Sequence, residues 1–161
     1  MEGKEKGDMK KVLVVGSLNM DMVLSVDHHP VPGETIIGDG ITYHPGGKGA
    51  NQAYAVGKLG GDVRIIGCVG WDNNGMILTE NLAQAGVDTT AINRMPETPT
   101  GMAIIDVDKK GDNSIIVISG ANACLTPDLL RKQKASVEWS DFIMTQLETP
   151  IDTVLELARM A

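Results

Sequence analysis

The chain is poor in aromatic residues. Two Trp, two Tyr and one Phe make up 3% of its 161 residues, so its core must be built from Val, Ile, Leu, Ala and Met. Cysteine is as scarce. Cys68 and Cys124 stand far apart in apolar segments, which predicts buried reduced thiols rather than a disulfide or a metal site. Positive charge is in deficit: 14 Lys and Arg face 21 Asp and Glu, a net charge of −7. That argues against a nucleic-acid or an anionic membrane surface as partner. No apolar stretch reaches the roughly 18 residues that a membrane-spanning helix needs. The N-terminus, MEGKEKGDMKK, is polar and has no apolar stretch before the first strand, so it is not a secretory signal. It predicts a disordered lead-in over residues 1–10 and a cytoplasmic chain.

What is present is ordinary for a globular protein, with 42% apolar and 22% charged residues. The length suits one domain over residues 11–161. Apolar runs at 11–16 (KVLVVG), 62–70 (DVRIIGCVG) and 141–148 (DFIMTQLE) read as strands buried on both faces. Helical patterns stand between and after them. One spans 48–59 and stops at Gly60-Gly61, and a second spans 74–85, stopped by Gly86 and capped by Asp72. A third spans 127–137, capped by Thr126, and the same Thr-Pro device at Thr149-Pro150 predicts a fourth. Strands alternating with helices imply a parallel α/β sheet. Four further segments break that rhythm: 22–27, 34–43, 100–108 and 112–119. They read as short strands of a second, smaller sheet, the last two joined by a hairpin turn at Lys109-Lys110-Gly111. His28-His29 reads as a solvated loop pair, and the nine methionines as core filler.

The stretch with most promise for chemistry is HPGGKGANQAY at 44–54, where glycines open a helix. It fails both common nucleotide patterns. A phosphate-binding loop needs Gly-Lys followed by Ser or Thr, but Gly47-Lys48 is followed by Gly49 and Thr42 stands where the first glycine belongs. A dinucleotide fingerprint needs a third glycine where Gln52 stands.

Three polar clusters fall at the ends of predicted strands: Asn19 with Asp21, the loop of Gly46, Gly47, Lys48 and Asn51, and Glu148. In an open α/β sheet, ligands bind outside the carboxyl ends of the strands, so these groups are expected to converge. Two carboxylates, two carboxamides, a lysine and bare backbone amides suit a neutral polyhydroxy ligand. Taken singly, Asp21 or Glu148 reads as a solvated loop acid or a helix cap.

GSLNMDMV, PVPGETI, GGKGANQA, SGAN at 119–122 and QLETP at 146–150 occur in that order, and together they resemble the ribokinase branch of the PfkB family of carbohydrate kinases. The resemblance runs from about Lys11 to the last residue. It implies a ribokinase-like α/β fold: a parallel sheet flanked by helices with a small β-sheet lid, the lid strands lying within about 22–43 and 100–119. It implies that Asn19, Asp21, Gly46, Gly47, Lys48, Asn51 and Glu148 hold sugar hydroxyls, and that Ala103 and Ile115 cover the sugar from the lid. It further implies D-ribose or a similar small sugar as substrate, ATP with Mg2+ as phosphoryl donor, K+ activation and a homodimer formed through the lid.

Such kinases also carry a later D-T-x-G-A-G-D motif that supplies the catalytic base and an anion hole. No such stretch occurs in these 161 residues. The expectation is therefore the truncated, sugar-binding N-terminal half of such a kinase, without a catalytic residue and inactive by itself. The helical pattern runs to Ala161 without a stop signal, in keeping with that expectation. The alternatives are another sugar or nucleoside kinase of the family, acting on fructose or inosine, and a non-catalytic sugar-binding or dimerisation module.

Overall fold

Alternation within the apolar runs decides the architecture. In Lys11–Val15 (β1), Leu13 and Val15 point to one side and Val14 to the other, and all three are sealed from solvent. Such a strand is stable only with packing on both faces. In the computed structural model, which describes residues 9–161, β1 lies inside a four-stranded parallel sheet. Its neighbours are Asp62–Gly70 (β4) and Phe142–Thr145 (β8), and Ile92–Met95 (β5) extends the sheet beyond β4. The lead-in expected over 1–10 falls largely outside the described residues.

Two apolar clusters sandwich this sheet. On one face Val14, Val63, Ile65 and Val69 pack under Lys48–Lys58 (α1) and Asn73–Gln84 (α2), through Ala50, Ala53, Leu78 and Leu82. On the other face Leu13, Val15, Ile66 and Cys68 meet the short 3-10 turn Gly120–Cys124, Pro127–Arg131 (α3), Lys134–Trp139 (α4) and Ile151–Met160 (α5). Each fully buried Leu or Ile contributes about 1.5–3 kcal/mol relative to exposure. No described helix is long and apolar enough to cross a membrane.

The second sheet is where the sequence placed it, with order β3-β2-β6-β7. Its strands are Asn19–Ser25 (β2), Gly40–Gly46 (β3), Gly101–Val107 (β6) and Asn113–Ile118 (β7). It is inserted twice into the α/β rhythm. The chain leaves β1, runs out along β2, returns on β3 and only then enters α1; it later leaves β5, makes the β6–β7 hairpin and returns through the 3-10 turn. Both excursions start beyond the carboxyl ends of the large sheet's strands, so the small sheet stands over that edge. The 109–111 turn forms as expected: Gly111 adopts φ 86°, and Asp108 accepts from the amides of Lys110 and Asp112.

Several expectations need correction. No strand forms over 34–39, because β2 ends at Ser25 opposite Gly40 and leaves those residues no partner. Pro30, Pro32 and the turn at Gly33 (φ 86°) carry the chain there instead. β2 begins at Asn19 rather than 22, and β3 runs through Gly46, so the polar residues sit in strands rather than in loops. Among the described residues β8 is the outermost strand of the sheet and Phe142 is exposed, so the burial on both faces expected of 141–148 is not seen there. β5 was not foreseen; four residues are too few for a periodic signal. The third helix breaks in two at Gln133, which no local residue marks. Thr126 and Asp72 cap as expected. Thr149 does not: Pro150 is the cap residue of α5, its carbonyl accepts from Thr153, and the Thr149 hydroxyl is buried without a partner.

Burial pushes the Cys68 thiol up to about 12, with Cys124 adding to the effect. A raised thiol pKa contributes stability that is complete below the free value of 9.0 and is lost as pH rises toward 12. Cys68 is therefore expected to resist iodoacetamide at pH 8 in the native protein and to react only after denaturation, read by peptide mass spectrometry. Native labelling of Cys68 at the rate of a free thiol would contradict the packing.

Candidate functional site

The site is built on a backbone contact. The turn after β1, residues 16–18, lies directly against the corner where β3 gives way to α1. Gly47 makes this possible: its φ is 92°, and a Cβ there would fall 2.7 Å from the Asn19 nitrogen and the Ser17 carbonyl oxygen. The Ala50 amide donates to the Ser17 carbonyl at 2.9 Å, and the Lys48 amide faces Glu148. The opening amides of α1 are thus engaged inside the protein. The glycines of GGKG serve close packing and not a phosphate cradle.

Gly46 has a different task. A Cβ on it would lie 2.1 Å from Asp21 Oδ2, so its absence makes room for that carboxylate. In the β2–β3 ladder Asp21 stands opposite His44, and on the other side opposite Ala103 of β6. Asp21 makes no hydrogen bond among the described residues. Burial raises its pKa above the ordinary value, the charge of Glu148 adds to this, and His44 and Lys48 oppose it.

Glu148 is the opposite case. It follows β8, and Gln146 ties that segment to Gln52 of α1 at 2.6 Å. One Glu148 oxygen accepts from the Ser17 hydroxyl at 2.7 Å and the other from Lys48 Nζ. Burial on its own would raise the Glu148 pKa, but these two hydrogen bonds and the Lys48 charge outweigh it and hold the carboxyl below its usual value. One carboxylate is therefore tied down and firmly ionised. The other is free and easier to protonate.

Between them lies a cavity of about 180 Å³. This is below the roughly 300–1,000 Å³ of pockets that take drug-sized ligands. Asn19, Asp21, Gly47, Lys48, Asn51, Ala103, Ile115 and Glu148 all line it. The sequence singled out all eight. Gly46, the ninth, stands behind Asp21 rather than on the cavity wall. The wall is polar along β2, the β3–α1 corner and Glu148, and apolar along β6 and β7, where Ala103 and Ile115 are joined by Ile105 and Val117. These last two were missed, although strand alternation from Ala103 and Ile115 leads to both. Also missed were Ser17 and Asn122, which are buried and touch the residues that face the cavity. The described residues hold no cluster of three or more His, Cys, Asp or Glu suited to a metal ion.

Residues 9–161 match the pfkB family carbohydrate kinase pattern. The chain is 44% identical over 154 residues to a ribokinase of Haemophilus influenzae, covering 95% of this chain and 50% of that protein. It superposes on a ribokinase structure from Thermotoga maritima with a TM-score of 0.86 and 42% identity, covering 93% of this chain and 49% of that one. The structure of an Arabidopsis thaliana ribokinase complexed with ribose and ATP gives a TM-score of 0.82 at 29% identity, covering 95% of this chain and 51% of that one. The chain thus spans about half the length of the relatives it matches. Sequence pattern, sheet order and the two-fold insertion of the small sheet point one way, and the chain belongs to the pfkB family of carbohydrate kinases.

Proposed function

We propose that this chain is the sugar-holding part of an ATP-dependent kinase of ribokinase type, with D-ribose as the sugar and its 5-hydroxyl as phosphoryl acceptor. The observation that carries the reading is the cavity itself. An unpartnered carboxylate, a tied one, two carboxamides and a lysine surround a space sized for a small polyol. Asp21 has lone pairs to spare for two hydroxyl donors. The apolar strand faces at Ala103, Ile105, Ile115 and Val117 would cover the sugar's C–H groups and keep water out. The relatives' names and the ribose in the Arabidopsis thaliana structure support the choice of sugar.

In the transfer, the oxygen of the 5-hydroxyl would bond to the γ-phosphorus of ATP, the bond to the ADP oxygen would break, and the hydroxyl proton would pass to a general base, a role to which no residue of this chain is assigned. Such catalysis is mostly positioning and charge stabilisation. This chain contributes the positioning of the sugar. No residue in it is assigned to ATP, Mg2+ or K+, and no D-T-x-G-A-G-D stretch occurs in it. We therefore expect the 161-residue chain alone to form no ribose 5-phosphate from ATP and ribose in a coupled assay. Turnover at a rate typical of enzymes, about 1 per second or more, would contradict this.

The raised pKa of Asp21 gives a sharper test. Its sign means that ionised Asp21 works against folding. The contribution to stability is complete below the ordinary 3.8 and is lost as pH rises through the folded-state value. Hydroxyls that donate to the carboxylate would offset that loss. Asp21→Asn is expected to raise Tm at pH 7 and to weaken D-ribose binding roughly 10- to 100-fold in calorimetric titration. Wild-type affinity should fall as pH drops through the raised pKa, and the variant should lose this dependence. Equal affinities for the two proteins, or tighter binding of fructose or inosine than of ribose, would overturn the assignment.

The outer face of the small sheet, opposite the cavity, exposes Ile41 and Tyr43 on β3 and Ile116 and Ile118 on β7. We propose a homodimer through this face. Light scattering should show a dimer for the wild type and a monomer for Ile116→Lys; a wild-type monomer at about 100 μM would rule the dimer out, since stable dimers dissociate well below that concentration.

A further inference from the structure

Asn122 lies in the 3-10 turn Gly120–Cys124, is 1% exposed and does not reach the cavity. All its polar atoms are nevertheless in use. Its Oδ1 accepts from the Leu18 amide at 2.9 Å, and its Nδ2 donates to the Leu18 carbonyl at 3.1 Å and to Asn19 Oδ1 at 2.8 Å. Donor and acceptor types fix this arrangement. The Leu18 N–H can only donate, so the atom facing it must be the Asn122 oxygen. The other end of the Asn122 amide is then an NH2 group, and the Asn19 atom that meets it must be an oxygen. Asn19 is left with its own NH2 group, which donates to nothing among the described residues and belongs to a side chain that lines the cavity.

We infer that Asn122 is a positioning residue that sets which end of the Asn19 carboxamide faces the ligand, so that this point of the site reads a sugar hydroxyl as a hydrogen-bond acceptor. The inference rests on the sugar-site reading of the cavity. It has a directional consequence. A hydroxyl that accepts from Asn19 must send its own proton elsewhere, and Asp21, two residues along the same strand face, is an unpartnered acceptor. Donor and acceptor side by side hold a hydroxyl in one orientation, whereas an amide free to flip would accept either. The backbone is cut to fit the pair. A Cβ on Gly101 would lie 2.3 Å from both Asn122 Nδ2 and Asn19 Oδ1. Glycine at the start of β6 is thus a condition of the Asn19–Asn122 contact.

Asn122→Asp keeps the shape and the acceptor for the Leu18 amide, but turns the group that donates to Asn19 and to the Leu18 carbonyl into an oxygen. Asn19 is then expected to rotate and present its oxygen to the cavity. Two measurements read this. In NMR of the wild-type chain, the side-chain NH2 of Asn122 should exchange slowly with water and that of Asn19 fast; in Asn122→Asp the Asn19 NH2 should become the slow one. In calorimetry with D-ribose, Asn122→Asp should weaken binding about tenfold or more. In the Asn19→Ala background the same change should cost several-fold less, because only the lost bond to the Leu18 carbonyl then remains to act. Gly101→Ala, which parts the two amides without altering either, should give the same loss if Asn122→Asp fails to fold. An unchanged Asn19 exchange rate, or equal losses with and without Asn19, overturns the inference. A switched exchange pattern in a wild-type chain that binds no sugar supports the positioning and sinks the sugar-site reading.

Discussion

The close approach of the backbone at 16–19 to the β3–α1 corner is the contact on which the rest depends. No side chain separates the two segments at Gly47, and the Ser17 carbonyl takes an amide of the first turn of α1. Because β2 departs from this turn and β3 ends in the corner, one contact fixes the small sheet over the large one. It also brings Asn19, Asp21 and Lys48 within reach of Glu148, which lies a hundred or more residues later in the chain. A side chain at position 47 would be strained in its own φ and would force these elements apart.

Electrostatics then divides the labour between two similar carboxylates. Both are partly buried, and burial alone raises the pKa of each. Lys48 and Ser17 reverse the outcome for Glu148, while Asp21 receives no hydrogen bond from the described residues and also feels the Glu148 charge. The anchored group holds the frame of the site. The unanchored group is the one with capacity for a new partner, and its unfavourable ionisation is a cost that the proposed hydroxyl-rich ligand would relieve. The contrast comes from where the cation sits, not from the carboxylates themselves.

Much of this was legible in the sequence, and the limits have physical causes. The buried runs at β1 and β4, the glycine stops at Gly60 and Gly86 and the caps at Asp72 and Thr126 are local signals, and they hold. The convergence of Asn19, Asp21, Lys48, Asn51 and Glu148 followed from strand-end logic together with the family motifs. Strand limits in the small sheet were not legible, because pairing decides them: residues 34–39 have strand-like composition but no neighbour. Ser17 and Asn122 escaped for a similar reason. Their roles exist only through long-range contacts, although SGAN marked the position of Asn122. The Thr149 cap failed because α5 opens one residue late, with Pro150 at the cap.

The most direct test of the account is to titrate D-ribose into the isotopically labelled 161-residue chain and follow backbone and side-chain amide shifts. The account predicts saturable shifts confined to the two strands and the corner around the cavity: Asn19 to Asp21, Gly47 to Asn51, Ala103, Ile115 and Glu148. Shifts that cluster elsewhere on the surface, or none at millimolar ribose, would contradict the claim that this chain carries a sugar site.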